Sequence, residues 1–319
     1  MRESGLLRHI YKANAAMPDA VAIAPGDDMG AVRFGNDQVL TTIDQVADGV
    51  HVDLQSTPPE KVGRKAIVRS LSDVAAMGAV PIGVVVAACL PRDFGQERAT
   101  VMFDAMRRTG QAYDCPLFGG DMAMWDQRLL LTVTILAIGD GVEPVLRKGA
   151  QIGDAVCITG QLGGSLETVD GYTHHLDFEP RLKIARALAA SDSGRPHCMI
   201  DLSDGLAVDL GHLCRASDVA AVIDADKLPI SAAAETASKR DGKASWEHAI
   251  GDGEDYELCF TVTDDQAQQL TRQSLLGVAV THIGNIVKTE AGHPEAEIRL
   301  KFPDGSSQDV TGSGWEHHA

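Results

Sequence analysis

Apolar positions along the chain follow two spacings, one typical of strands and one typical of helices. Residues 129–138 alternate bulky apolar side chains with threonines, which predicts a strand. Residues 58–77 repeat apolar side chains every three or four positions and end at Gly78, which predicts an amphipathic helix. Because the two spacings alternate through the whole chain, the pattern favours an α+β protein.

The first 140 residues are predicted to form a split βαβ sheet. A hairpin signal around residues 35–37 joins two strands, and Asp44 is expected at the end of the second strand. The predicted elements are a helix over 2–16, strands over 31–34 and 39–43, the helix 58–77, a strand over 82–90, a helix over 95–113, a short strand before Gly119 and the strand 129–138.

Glycines crowd residues 139–153 and mark the best domain boundary. We therefore expect two α/β domains, an N-terminal domain over 1–140 and a C-terminal α/β sandwich over 141–319. The elements predicted for the second domain are a strand over 155–159, a glycine loop over 160–164 leading into a helix, a helix from Pro180 to about 190, a helix over 206–214, strands over 220–223, 258–262 and 278–283, and a helix from 264.

Composition bears on both the core and the binding partners. Only 4% of the 319 residues are aromatic, so the cores should consist of small aliphatic side chains. The net charge of -17 argues against a nucleic-acid or anionic-membrane surface. It still allows phosphate ligands if divalent cations stand between them and the carboxylates. Scattered cysteines and the lack of a signal peptide or apolar span favour a reduced cytoplasmic protein.

Aspartates recur beside Gly, Ser or Thr, beginning with two adjacent carboxylates in the turn Pro25–Ala31. Such residues are ordinary turn and cap formers, which is one interpretation. The other is that several of them converge on cations. Asp201 precedes the start of its helix and is not readily explained as a cap. The further stretches with this pattern are 41–44, 70–73, 119–121, 201–205 and 251–255.

The usual nucleotide-binding signatures do not occur in the sequence. It contains neither a Gly-x-x-x-x-Gly-Lys-Ser/Thr loop nor a Gly-x-Gly-x-x-Gly turn, and it has no kinase catalytic loop. No motif nominates a Ser or Cys nucleophile. Any phosphate chemistry must therefore use another scaffold.

Taken together, the motifs resemble the thiamine-monophosphate kinase family, within the superfamily of aminoimidazole ribonucleotide synthetase. The resemblance spans residues 5–317, and the segments 70–79 and 251–258 are its most specific parts. The other motifs are Gly26-Asp27-Asp28, Asp44 with Gly49 and His51, Gly119-Gly120-Asp121, Arg147 with Gly149, and Asp201 to Leu206 with Asp209.

The resemblance implies a homodimer whose N-terminal sheets pair, with ATP and several Mg²⁺ ions near the interface. The implied reaction transfers the γ-phosphoryl group of ATP to thiamine monophosphate, giving thiamine diphosphate, with no covalent or acid–base residue. Matching positions for the substrate are His51, Glu254 and Trp315. Those for the nucleotide are Gly120, Asp121, Arg147 and Ser203. Those for metal are Asp28, Thr42, Asp44, Asp73, Asp121, Asp201 and Asp204.

Several positions depart from the family pattern. Ile43 stands where a hydroxyl is expected, which predicts the loss of one oxygen ligand, and residues 122–124 read Met-Ala-Met after Asp121. Asp252 replaces a small residue, and the loop between Gly164 and Pro180 looks short. Two alternatives therefore stay open: a related ATP-dependent enzyme with another small acceptor, and a nucleotide-binding homologue without turnover.

Overall fold

The computed structural model describes residues 9–12, 17–35, 37–191, 194–272, 274–289 and 296–315. Within them lie a six-stranded sheet, a seven-stranded sheet and a two-stranded hairpin, with helices between. The α+β prediction is therefore confirmed. Within the described ranges, no helix is both long and apolar enough to cross a bilayer.

The elements of the first half are β1 (Val21–Ile23), β2 (Gly30–Phe34), β3 (Asp37–Ala47), α1 (Pro59–Ala76), β4 (Val80–Pro91), α2 (Gln96–Ala112), β5 (Leu117–Trp125) and β6 (Leu130–Ile138). The strands form a sheet with the order β1-β2-β3-β6-β4-β5. This first sheet is antiparallel except for one parallel pair, β4 with β5. Helix α2 connects that pair and forms the βαβ unit that parallel neighbours need.

Helix α1 lies between the two sheets. Pro59 in its first turn has no N–H that needs a partner, and Gly78 just past its end adopts a φ of 63°, which favours glycine. Ile67 and Leu71 pack into the core of the first sheet. Another face of the helix contacts the strand Cys198–Asp201 and the helices His174–Asp177 and Leu182–Ala189, which buries polar side chains as well. Those polar side chains belong to the candidate site.

The elements of the second half are β7 (Ala155–Thr159), β8 (Thr168–Val169), β9 (Tyr172–Thr173), α3 (His174–Asp177), α4 (Leu182–Ala189), β10 (Cys198–Asp201), α5 (Leu206–Ser217), β11 (Ala220–Asp224), α6 (Ala232–Asp241), α7 (Ser245–Gly251), β12 (Leu258–Val262), α8 (Asp264–Arg272), β13 (Val280–Val287), β14 (Ile298–Lys301) and β15 (Ser307–Asp309). The second sheet has the order β10-β12-β7-β13-β11-β14-β15. Its inner strand β7 is buried at every position, so helices cover both faces.

Several local predictions are wrong. The loop after β7 leads into the β8–β9 hairpin instead of a helix, since Gly160, Gly163 and Gly164 adopt positive φ angles incompatible with helix. Strand β3 continues to Ala47, so Asp44 lies inside the strand. The predicted first helix is described only over residues 9–12, which are helical; its other residues lie outside the described ranges. Strands β1, β10, β14 and β15 and helices α3, α6 and α7 were not predicted either.

Candidate functional site

Three aspartates from distant parts of the chain meet between the sheets. Asp28 lies in the turn before β2, Asp73 in α1 and Asp201 at the end of β10. One carboxylate oxygen of each lies within 4.8 Å of the others, an arrangement that can hold a metal ion. We call these three residues the acidic cluster. Thr42 on β3 donates a hydrogen bond to Asp73, and Asp28 Oδ2 is buried without a hydrogen-bond partner among the described residues.

The acidic cluster has more negative charge than its surroundings neutralise. Burial, followed by repulsion from Asp28, raises the pKa of Asp201 to about 7, against a hydrogen bond from Ser72. Burial and then the charges of Asp44 and Asp201 raise the pKa of Asp73 well above its usual value. Close carboxylates disfavour one another's ionisation. The cluster is therefore poised to take up cations.

Arg147 provides the acidic cluster's direct ion pair among the described residues, since its Nη2 donates to Asp28 Oδ1 at 2.7 Å. Its main-chain N donates to both oxygens of Asp27, at 3.3 and 3.2 Å. Burial and the charge of Asp28 raise the pKa of Asp27 to about 6. Asp27 therefore ties the turn to the second half of the chain, while Asp28 faces the acidic cluster.

Beside the acidic cluster lies a cleft that collects the predicted substrate residues. It contains His51, Glu254 and Trp315 together with Ser203 and Asp204. Asp204 therefore faces this cleft and is not one of the three clustered carboxylates. We call this space the cleft; its lining residues are Val50, His51, Arg69, Leu166, Ser203, Asp204, Asp252, Glu254, Tyr256 and Trp315.

Asp209 stabilises the loop that carries Ser203 and Asp204 through hydrogen bonds to its main chain. The Oδ2 atom of Asp209 accepts hydrogen bonds from the main-chain N of Asp204 at 3.0 Å and of Gly205 at 3.1 Å. Gly205 has a φ of 108° and precedes α5, so a side chain there would be strained. The resulting turn presents Ser203 and Asp204 to the cleft in one orientation.

A buried lysine determines the orientation of Glu254. Lys65 is fully buried, and its Nζ donates to the two carboxylate oxygens of Glu254 at 2.9 and 2.7 Å and to the carbonyl oxygen of His51 at 2.8 Å. His175 Nδ1 lies 2.7 Å from Nζ and 3.0 Å from Glu254 Oε2. We call Lys65, Glu254 and His175 the Lys65 network.

The charges of the Lys65 network balance internally. Burial raises the pKa of Glu254, but the hydrogen bond from His175 and the charge of Lys65 outweigh it and lower that pKa to about 2. Burial lowers the pKa of Lys65 to about 8 against the attraction of Glu254. At neutral pH the network is a closed ion pair, and Glu254 stays ionised where it borders the cleft.

Asp121 and Gly120 lie away from the acidic cluster. They are on the edge strand β5, three strand spacings from β3, which is roughly 14 Å at about 4.8 Å per strand. The register aligns Asp121 with Ala87 and Thr132 on the face of the sheet opposite to Asp44. Within one chain, the predicted metal position Asp121 is therefore not brought to the other aspartates. A Cβ at Gly120 would lie 2.1 Å from the Val86 oxygen, so close strand packing requires this glycine.

Ile43 points away from the acidic cluster. It lies between Thr42 and Asp44 on β3, where successive side chains face opposite sides, and it is 64% exposed. The prediction that Ile43 deprives the aspartates of an oxygen ligand is therefore wrong for the cluster within this chain. Asp252 has a structural role as well, because its carboxylate accepts from Gly164 N at 2.9 Å and contacts His248 Nδ1 at 3.0 Å.

Sequence reasoning missed Lys65, Arg69, Ser72 and Tyr256. A signal was present for two of them: Lys65 and Arg69 precede Asp73 by eight and four residues, so the three share one stripe of α1. Charged residues on a stripe that also carries Ala66 and Ser70 indicate a buried polar site instead of a solvent face. Tyr256 gave no such signal, because a tyrosine before a strand is ordinary core.

The chain matches two family models, the AIR synthase related protein N-terminal domain over residues 26–140 and its C-terminal domain over residues 158–295. It is 35% identical over 293 residues to the thiamine-monophosphate kinase of Rhodopirellula baltica, covering 89% of each chain. It is 31% identical over 335 residues to that of Haemophilus influenzae, covering 99% of this chain and 98% of the relative.

Solved structures agree over the full length. A structure described as AaThiL complexed with AMPPCP and TMP superposes with a TM-score of 0.82 at 27% identity, covering 99% of this chain and 97% of that one. The thiamine-monophosphate kinase of Stenotrophomonas maltophilia K279a gives a TM-score of 0.72 at 31% identity, covering 96% and 98%. The chain thus belongs to the thiamine-monophosphate kinase family and is a phosphotransferase.

Proposed function

We propose that this protein transfers the γ-phosphoryl group of ATP to thiamine monophosphate and forms thiamine diphosphate. The observation that carries the proposal is the position of the acidic cluster directly beside a cleft that holds His51, Glu254 and Trp315. The relatives named above support the choice of substrates, since they are thiamine-monophosphate kinases and one structure contains an ATP analogue and TMP.

Magnesium fits the acidic cluster. Hard carboxylate oxygens are the ligands that Mg²⁺ takes in proteins, and Asp28 Oδ2 is a buried acceptor that lacks a donor among the described residues. Asp28, Asp73 and Asp201 would hold the metal, with Thr42 and Asp44 adjacent. When bound, the metal supplies charge neutralisation and bridging for the phosphate groups.

The chain's own residues position the reactants. Arg147, paired with Asp28 at the acidic cluster, can donate to phosphate oxygens of the nucleotide, as can Ser203 at the start of α5. His51 and Trp315 border the thiamine in the cleft, and ionised Glu254 accepts a hydrogen bond from the amino group on its pyrimidine ring. No general base is required, because a phosphate monoester is already largely ionised near pH 7.

A homodimer would complete the site. The open face of the first sheet presents Ile43, Thr134, Val85 and Asp121, with Ile43 64% exposed, while α1 and α2 cover the other face. Pairing of two such faces would place Asp121 and Gly120 of one subunit near the nucleotide of the other, which one chain alone does not achieve. In this assembly residues 1–140 form the ATP-binding and dimerisation domain and residues 141–319 complete the substrate site.

One assay tests the function. Purified protein is incubated with Mg-ATP and thiamine monophosphate, and the diphosphate is measured by chromatography. Wild type should form product, and the Asp44→Asn variant should form little or none. ATP consumption without thiamine diphosphate would instead indicate another acceptor, and equal background in both proteins would contradict the kinase.

A further inference from the structure

Two side chains that border the cleft carry three buried hydrogen-bond donor atoms that have no partner among the described residues. The Nε and Nη1 atoms of Arg69 are buried and make no hydrogen bond to any described residue. The hydroxyl of Tyr256 is buried and equally unpaired. The carboxylate nearest to the guanidinium is that of Asp44, whose Oδ1 lies 3.6 Å from Nε, beyond hydrogen-bond distance. Both side chains border the cleft.

Unpaired buried donors are costly, and each one in a folded protein calls for an explanation. The guanidinium keeps its charge here: burial lowers the pKa of Arg69, but its surroundings, including the carboxylates of Asp44 and Glu254, raise it above its usual value. Burial raises the pKa of Tyr256 well above 10, so the phenol remains a neutral donor. Arg69 therefore presents charged N–H donors to the cleft, and Tyr256 presents an uncharged O–H donor to it.

The fold holds both groups firmly in place. Arg69 projects from α1 one turn before Asp73, so it lies between the acidic cluster and the cleft. Tyr256 stacks on Phe178 with ring centroids 4.1 Å apart and adopts a φ of 49°, which is unusual for a bulky residue. Strained backbone of this kind persists where the surrounding structure imposes it, often at ligand sites.

The donors select an oxyanion. A guanidinium offers parallel N–H groups that match phosphate oxygens, and a phenol adds a third donor. A cation would be repelled by Arg69, and an apolar group would leave the donors unpaired. Arg147 pairs with Asp28 of the acidic cluster, whereas Arg69 lies near the neighbouring Asp44. The two guanidiniums therefore lie at different carboxylates. This arrangement suits two phosphate groups that meet over metal ions.

We propose that Arg69 and Tyr256 bind the phosphate of the acceptor, a phosphate monoester, and align it with the acidic cluster. The inference rests on the proposed function, because it takes the acceptor to be thiamine monophosphate in the cleft. Arg69 Nε and Nη1 and the Tyr256 hydroxyl donate to phosphate oxygens, while His51, Glu254 and Trp315 contact the remainder of the molecule.

The test compares ligands with and without the phosphate. Binding of thiamine monophosphate and of thiamine is measured by calorimetry with Mg²⁺ and without nucleotide, for wild type, Arg69→Met and Tyr256→Phe. Since hydrogen bonds to charged groups carry most of such a contact, Arg69→Met should weaken thiamine monophosphate about 10- to 100-fold. Tyr256→Phe should weaken it about 3- to 10-fold. Thiamine binding should change less than about twofold in both.

Arg107→Met is the matched control, since it removes an exposed arginine from α2 away from the cleft and should alter neither affinity. Equal weakening of both ligands, unchanged discrimination between them, or a loss confined to ATP affinity would overturn the inference. The phosphorylation assay separates the two proposals. Phosphate discrimination through Arg69 without formation of thiamine diphosphate would contradict the function alone, and product formation with discrimination intact in Arg69→Met would contradict the inference alone.

Discussion

The acidic cluster and the Lys65 network lie along one helix and bury charge in opposite ways. Asp73 on α1 belongs to the acidic cluster, where three carboxylates lie together and one of them, Asp28, forms an ion pair with Arg147. Two turns earlier, Lys65 places α1 in a network whose lysine and glutamate neutralise each other. The first arrangement needs a cation from outside, whereas the second already contains one.

The contrast shows that buried charge alone does not identify a ligand site. Removing one partner of a closed buried pair leaves an uncompensated charge and destabilises the fold. Removing one carboxylate from a repelling group relieves repulsion. The same type of substitution should therefore have opposite signs in the two regions.

The largest expected effect is in the Lys65 network. Lys65→Met should reduce the free energy of unfolding by about 3–5 kcal/mol, since Glu254 stays buried without its cation. Urea denaturation measures the change. Lys61→Met is the control on the same helix: its pair with Asp177 is partly exposed, so about 1 kcal/mol or less is expected. Equal losses in the two variants would show that the Lys65 pair is not special.

In the acidic cluster the sign should reverse. In magnesium-free buffer at pH 8, Asp201→Asn should raise the free energy of unfolding by up to about 4 kcal/mol, because the pKa of Asp201 is raised from 3.8 to about 7 and each unit corresponds to about 1.4 kcal/mol. The asparagine keeps an oxygen for Ser72. A loss comparable to that of Lys65→Met would mean that the carboxylate is already compensated in the metal-free protein.

The pH dependence of stability should reveal the same difference. The folded pKa of Asp201, about 7, lies above its ordinary value of 3.8, so between these values the folded state binds more protons than the unfolded state. Stability of the metal-free protein should therefore fall, by about 2–3 kcal/mol, as pH rises from 5 to 8. Magnesium should abolish the fall, because the metal replaces the proton. Denaturation curves at several pH values with and without Mg²⁺ check this; a rise with pH in the metal-free protein would contradict it.

The sequence predicted elements with a clear period far better than contacts between them. The strand over 129–138 and the helix over 58–77 were located almost to the residue, because their apolar patterns are long and regular. Strand β10 escaped notice since Cys198–Asp201 is short and buried at every position, which removes any alternation.

For the site, the family resemblance identified individual residues. It could not predict which of them come together in space. Asp28, Asp73 and Asp201 meet as the motifs suggested, but Asp121 lies on the opposite face of the sheet, because strand register is a tertiary property. The stripe on α1 indicated a buried polar position for Lys65, but its partner Glu254 could not be identified because it lies 189 residues away in the sequence.

The smallest effect concerns neighbouring residues on β3. Thr42→Val removes the hydroxyl that donates to Asp73 and should weaken Mg²⁺ binding a few-fold, or about 1 kcal/mol. Ile43→Thr adds a hydroxyl on the other face and should change that affinity less than about twofold. Titration calorimetry with Mg²⁺ measures both. A large gain in Mg²⁺ affinity in Ile43→Thr would contradict this expectation and would show that this face of β3 borders a metal site formed by two paired subunits.

The central claim is that the acidic cluster binds divalent cations in the folded protein. The Mg²⁺ dependence of the thermal unfolding midpoint at pH 8 tests it most directly. Wild type should rise by several degrees as Mg²⁺ saturates, since a ligand that binds only the folded state adds stability. Asp73→Asn should start at or above the wild-type midpoint without metal and respond far less. A wild-type midpoint that ignores Mg²⁺, or an equal response in both proteins, would contradict the account.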